Sequence, residues 1–115
     1  MTDSEKWKNV ETFFETHFSD GEKINLDSIL FLIGVQELGK GKLKFKKDEK
    51  LNVIHIAVCK MLEPFGYYRF DGFDNEGWPQ YELVEKLPNL QAHEQSILMK
   101  KAIINYFEAE KLLTF

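Results

Sequence analysis

Between Gly66 and Leu83 the chain reads GYYRFDGFDNEGWPQYEL. Two aromatic-rich arms enclose a centre that holds Asp71, Asp74 and Glu76 with Gly72 and Gly77. Rings bounded by turn-forming residues predict an antiparallel hairpin. Tyr67–Phe70 would lead up, a loop near Asp71–Gly77 would turn, and Trp78–Val84 would return. Pro79 cannot donate to a ladder, so the return arm belongs at an edge. In one register Tyr67 and Phe70, and in the other Tyr68, would face Trp78, Tyr81 and Leu83. The aromatics then tie a short hairpin to a helical body, and the acids stay at the tip in water. A calcium loop is the competing reading, and its register fails. Counted from Asp71 the third position is Phe73 and the sixth Glu76; counted from Asp74, Gly77 falls fourth instead of sixth.

Outward from the hairpin the periodicity is helical. A first helix is expected over about residues 4–18, opened by the capping-box spacing of Thr2 and Glu5. Trp7, Val10, Phe14 and Phe18 form its apolar stripe, and Ser19-Asp20-Gly21 ends it. A second helix should start at Asp27 and run through ILFLIGVQEL to a left-handed Gly39. It is apolar nearly all round, so it reads as a buried central helix. Gly34 costs its helix roughly 1 kcal/mol relative to Ala, which predicts another backbone crossing close by. Residues 40–47 alternate Lys with Leu43 and Phe45, a period-two strand signal with lysines outward. A third helix should start at Asp48 and stop near Glu63, ahead of Pro64. Its apolar side would include Leu51, His55 and Cys59, with Glu49, Asn52, Lys60 and Glu63 on a narrow polar stripe and Ile56 exposed among them. A fourth helix over about 91–111 precedes an apolar tail, Leu112–Phe115, which would dock on the body or pair with another chain. The fold class is therefore mainly α (α+β), in a single domain over residues 1–115: about four helices around a buried central one, with one antiparallel hairpin.

Charge is unevenly placed. The net charge is −4, yet residues 40–50 hold six lysines against Asp48 and Glu49, a local +4, leaving −8 on the rest. An acidic chain is not drawn to phosphate backbones or anionic membranes as a whole. One cysteine, Cys59, excludes an internal disulfide and a cysteine-rich zinc site. The N-terminal MTDSEKWKN lacks an apolar signal segment, and the longest apolar run, Ile29–Val35, is far short of the roughly 20 residues of a membrane helix. A cytoplasmic location with no membrane contact is the expectation.

Few residues offer chemistry. His55 and Cys59 lie four apart on the third helix and so share a face, but one flanked by Leu51 and Leu62. A thiol late in an apolar helix behaves as a small hydrophobe, and the helix dipole there disfavours a thiolate. No nucleophile elbow, zinc-helix or phosphate-loop spacing occurs. No catalytic residue, metal ligand or cofactor is expected, and a small enzyme or metal protein built on His55 and Cys59 ranks last.

The order helix, helix, helix, hairpin resembles a winged helix, with residues 61–83 as the end of a recognition helix and a wing. Three features depart from that pattern. The link between the second and third helices is long, the third helix offers only Asn52 and Lys60 to a duplex, and the wing tip is acidic. The segments LIGVQELGKGKLKFKKDEKLNVIHIAVCKMLEPFGYYR and DNEGWPQYELVEKLPNL resemble the shared core of a family of small bacterial proteins. That family has no assigned activity, so the resemblance implies a small stand-alone cytoplasmic protein and contributes no catalytic residue.

These readings converge on a non-catalytic protein-interaction module, with self-association into a homodimer as one form. Its expected surface comprises Lys40, Lys42, Lys44, Lys46, Lys47, Arg69, Asp71, Asp74 and Glu76. The alternative is a winged-helix-like nucleic-acid binder that uses the lysines and Arg69.

Overall fold

The computed structural model of the chain describes residues 2–19, 21–38 and 47–111. Four helices and one hairpin follow in the expected order: α1 (Asp3–Phe18), α2 (Leu26–Glu37), α3 (Lys47–Leu62), β1 (Tyr68–Phe73), β2 (Pro79–Leu83) and α4 (Ala92–Ala109). They gather into two compact units, one of residues 1–25 with 89–115 and one of residues 26–88.

In the first unit α1 and α4 pack together. Thr2 caps α1 through the expected box: its hydroxyl accepts from the Glu5 N–H at 3.2 Å, and the Glu5 carboxylate accepts from the Thr2 N–H at 3.2 Å. These bonds hold the Glu5 carboxyl below its ordinary pKa. Gly21, at φ +86°, ends the element by donating to the Glu15 carbonyl at 2.8 Å, a closure that the left-handed region makes possible. Trp7, Val10 and Phe14 are buried, whereas Phe18 is exposed. The Phe107 ring of α4 meets Phe14 edge-on at 5.6 Å, and Lys100 lies over Trp7 at 5.4 Å. On α4, Ala102, Ile103, Ile104, Tyr106 and Phe107 form the buried side, and Ile97 faces water. The apolar tail 112–115 lies outside the described residues.

The second unit is built on the crossing of α2 and α3. Ile29, Leu30, Ile33 and Gly34 of α2 are buried, as an all-round apolar helix requires. At Gly34 the approach is so close that an added Cβ would stand 2.4 Å from the carbonyl oxygen of Val53. The glycine is there because no other residue lets the two backbones meet. Both helices start one residue earlier than expected, so Asp27 lies in the first turn of α2 and faces the dipole instead of capping it. Lys47 opens α3 and is not part of a strand. The expected strand over 40–46 and the Gly39 cap lie outside the described residues.

The lateral assignment of α3 was partly inverted by periodicity. Leu51, expected inside, is 71% exposed, and Ile56, expected in water among the polar stripe, is 6% exposed. The cause is tertiary. The 56–59–63 side meets the hairpin, so Ile56 and Cys59 are covered and the Glu63 carboxylate accepts from the Phe70 N–H of β1, while Asn52 stays exposed. A 3-10 turn over Glu63–Phe65 and a left-handed Gly66 (φ +87°) then swing the chain into β1.

Candidate functional site: the groove between α3 and the hairpin

The hairpin matches neither expected register as it stood: Tyr68 of the second and Phe70 of the first share one face, and Trp78 lies ahead of the returning strand. Tyr68 pairs with Leu83, Arg69 with Glu82, Phe70 with Tyr81 and Phe73 with Pro79. Directly paired residues share a face, so Tyr68, Phe70, Tyr81 and Leu83 lie on one side and the Arg69–Glu82 ion pair on the other. Tyr67 stays out of the strand, and its carbonyl accepts from the Val84 N–H at 2.9 Å. Between Phe70 and Phe73 the register slips. Asp71 and Gly72 (φ +89°) oppose Gln80 alone, a bulge that sharpens the local twist.

Asp74 does more than keep the tip wet. Its Oδ1 accepts from the backbone N–H of Glu76 at 2.9 Å and of Trp78 at 2.8 Å, while its own N–H donates to the Trp78 carbonyl at 2.9 Å. Gly77 (φ +87°) donates back to the Asp74 carbonyl at 3.1 Å and completes the turn. The aspartate organises the loop by local bonding to backbone amides.

Beside β2 and α3 runs a groove of about 340 Å³. Asn52, His55, Ile56 and Cys59 line it from the helix, Asp74 and Glu76 from the loop, and Trp78 to Tyr81 from the returning arm. The sequence expectation of a buried His55–Cys59 face is half right: the thiol is buried, and the imidazole opens into the groove. The Sγ and Nε2 atoms are 3.5 Å apart. Burial pushes the Cys59 thiol up to about 11, so at neutral pH it is a protonated thiol rather than a nucleophile. Burial, with Glu63 and Glu37 adding repulsion, pushes the Tyr81 phenol up to about 12. Asp74 and Glu76 line the groove without closing a ligand set, and no group of three His, Cys, Asp or Glu among the described residues could hold a metal ion.

The expected surface residues are dispersed. Asp74 and Glu76 line the groove, Asp71 sits in the bulge, and Arg69 is engaged by Glu82 on the opposite face. Lys40, Lys42, Lys44 and Lys46 lie outside the described residues, and Lys47 is placed only as the first residue of α3. Lys60, the cation that α3 would offer to a duplex, stands 3.7 Å from Glu37 and 3.9 Å from Glu63. Sequence reasoning missed five groove residues, Ile56 and the run Trp78, Pro79, Gln80 and Tyr81. For the run its place in the return arm was a signal; for Ile56 there was none.

Helix and hairpin together make a small α+β unit with an open, aromatic-walled, acid-rimmed groove. A scan of protein-family models finds no match to the chain, and searches of curated proteins and of solved structures find none either. No helix among the described residues is long and apolar enough to cross a membrane.

Proposed function

We propose that the chain is a non-catalytic protein-interaction module whose docking element is the hairpin, with self-association as the first form to test. One observation carries this reading: the hairpin keeps large apolar side chains in water. Phe73 is 69% exposed and Leu83 54%, and the Phe70 and Phe73 rings pack on each other at 5.3 Å without being covered. Grouped exposed apolar side chains mark interaction sites more often than scattered ones do. The groove supports the same reading, because its thiol is held protonated and its aspartate is committed to the loop. The resemblance to small bacterial proteins makes a bacterial cytoplasm the proposed setting.

Light scattering across a concentration series, at low and high salt, tests this. A mass that rises with concentration in the wild type and stays monomeric in a Phe73→Ser, Leu83→Ser variant supports it. A wild type that remains strictly monomeric throughout overturns the self-associating form. The nucleic-acid reading has less behind it, since Arg69 and Lys60 are already paired with carboxylates and the loop tip is acidic. A gel shift that collapses with salt would promote it.

A further inference from the structure

The two edges of the hairpin are treated differently. The Val84 N–H to Tyr67 carbonyl bond makes Tyr68–Leu83 a non-hydrogen-bonded pair, and by alternation so is Phe70–Tyr81. The free N–H and C=O groups of these four residues therefore point out of the ladder, toward the outer edges. On β1 that edge is closed at its centre, where the Phe70 N–H donates to the Glu63 carboxylate at 3.1 Å. On β2 the corresponding groups of Tyr81 and Leu83 have no partner among the described residues.

The groove reaches this edge at Tyr81, with Leu83 further along the same strand. Between them and the loop, Pro79 offers no N–H and its carbonyl accepts from the Gln80 side-chain amide at 3.3 Å. Its volume of about 340 Å³ falls within the roughly 300–1,000 Å³ of ligand sites. Its walls include the Trp78 and Tyr81 rings, and its rim carries Asp74 and Glu76. No lysine or arginine lines it, and no cation pairs with either carboxylate among the described residues. Backbone groups waiting for a strand, ring faces that attract cations and an uncompensated negative rim call for the same occupant.

We propose that the β2 edge and its groove receive an extended segment of a partner protein, added as a third strand, that carries lysine or arginine at alternate positions. Backbone pairing at Tyr81 and Leu83 gives the segment its direction. Its basic side chains enter the groove between α3 and the Trp78–Tyr81 wall and meet Asp74 and Glu76. This rests on the interaction-module reading but not on self-association, so the two fail separately.

The test uses the full chain and a fluorescein-labelled peptide of alternating lysine and leucine. An alternating glutamate and leucine peptide, and the lysine peptide N-methylated at alternate amides, serve as controls. The expected result is salt-sensitive binding of the lysine peptide alone, with hydrogen exchange of the Tyr81 and Leu83 amides slowed on binding. Glu76→Lys, on an exposed turn that leaves the helices untouched, should weaken binding by about tenfold or more, as a reversed charge beside a bound cation does. Equal binding of the N-methylated or acidic peptide would overturn the proposal. So would unchanged exchange at Tyr81 and Leu83, or a homodimer of the chain that the lysine peptide fails to displace from this edge.

Discussion

Replacing Gly34 by alanine sets two effects of opposite sign against each other. Alanine is the better helix former by about 1 kcal/mol, and on an isolated α2 the change would stabilise. In the crossing with α3, the new methyl would stand 2.4 Å from the Val53 carbonyl oxygen, 2.6 Å from Val53 Cγ1 and 3.1 Å from the Val53 carbonyl carbon. Ordinary contacts lie near 3.5 Å, so the helices must separate by about 1 Å. Rotating Val53 relieves only the contact to Cγ1, because the carbonyl belongs to the backbone. Overpacking of this kind costs about 1–3 kcal/mol, and a backbone clash belongs at the upper end. The net loss should be about 2 kcal/mol. At about 3–6 °C per kcal/mol for a chain of this length, Tm should fall by about 6–12 °C in thermal unfolding followed by far-UV circular dichroism. Adding Val53→Ala should recover part of the loss, so that the double variant is more stable than the sum of the singles predicts. An alanine variant as stable as the wild type, or more so, would refute the crossing as the reason for the glycine.

Three further outcomes follow from the hairpin and the groove. Asp74→Ala removes the acceptor of two backbone amides and should destabilise by about 1–2 kcal/mol in urea unfolding, whereas Asp74→Asn, which keeps an Oδ1, should cost less than half of that; equal losses would mean that charge and not geometry holds the turn. Glu63→Ala strips the carboxylate from the Phe70 N–H and should speed hydrogen exchange of that amide while leaving that of Arg69 slow. Alkali should weaken the fold from about pH 9 upward. The thiol and phenol ionise near 9.0 and 10.0 when unfolded but only at about 11 and 12 when folded, so the unfolded chain sheds protons first and stability falls as pH rises; unfolding curves at pH 7, 9 and 10.5 with unchanged midpoints would contradict the burial of both groups.

Most of the fold was legible because local rules and tertiary packing agree along much of the chain. Thr2 and Glu5 announce the start of α1 by chemistry that needs no neighbours. Gly34 announces a crossing because nothing local explains a glycine inside an apolar helix. The hairpin arms and the edge position of Pro79 follow from turn residues and a missing donor. Periodicity failed where one helix serves two neighbours. On α3, Val53 turns to α2 while Ile56 and Cys59 turn to the groove, leaving Leu51 outside. A single hydrophobic stripe cannot encode two docking faces, and the residues that pay for the second face include polar ones.

The groove itself was hidden for a related reason. Its members come from positions 52–59 and 74–81, and the register that joins them depends on a bulge. Had Asp71 and Gly72 not opposed Gln80 alone, the pairing of β1 beyond the bulge would shift by one residue, and Phe73 and Asp74 would trade faces. The acids at the tip looked like solvation because charge alone says nothing about which amide a carboxylate accepts from. Asp74 keeps its charge at the groove, but its Oδ1 is committed to the turn, so of the two acids that line the groove only Glu76 can be changed without touching the loop's own bonds to a side chain. Reversing the charge at Glu76 therefore separates recognition of a cationic segment from folding, where a change at Asp74 would disturb both.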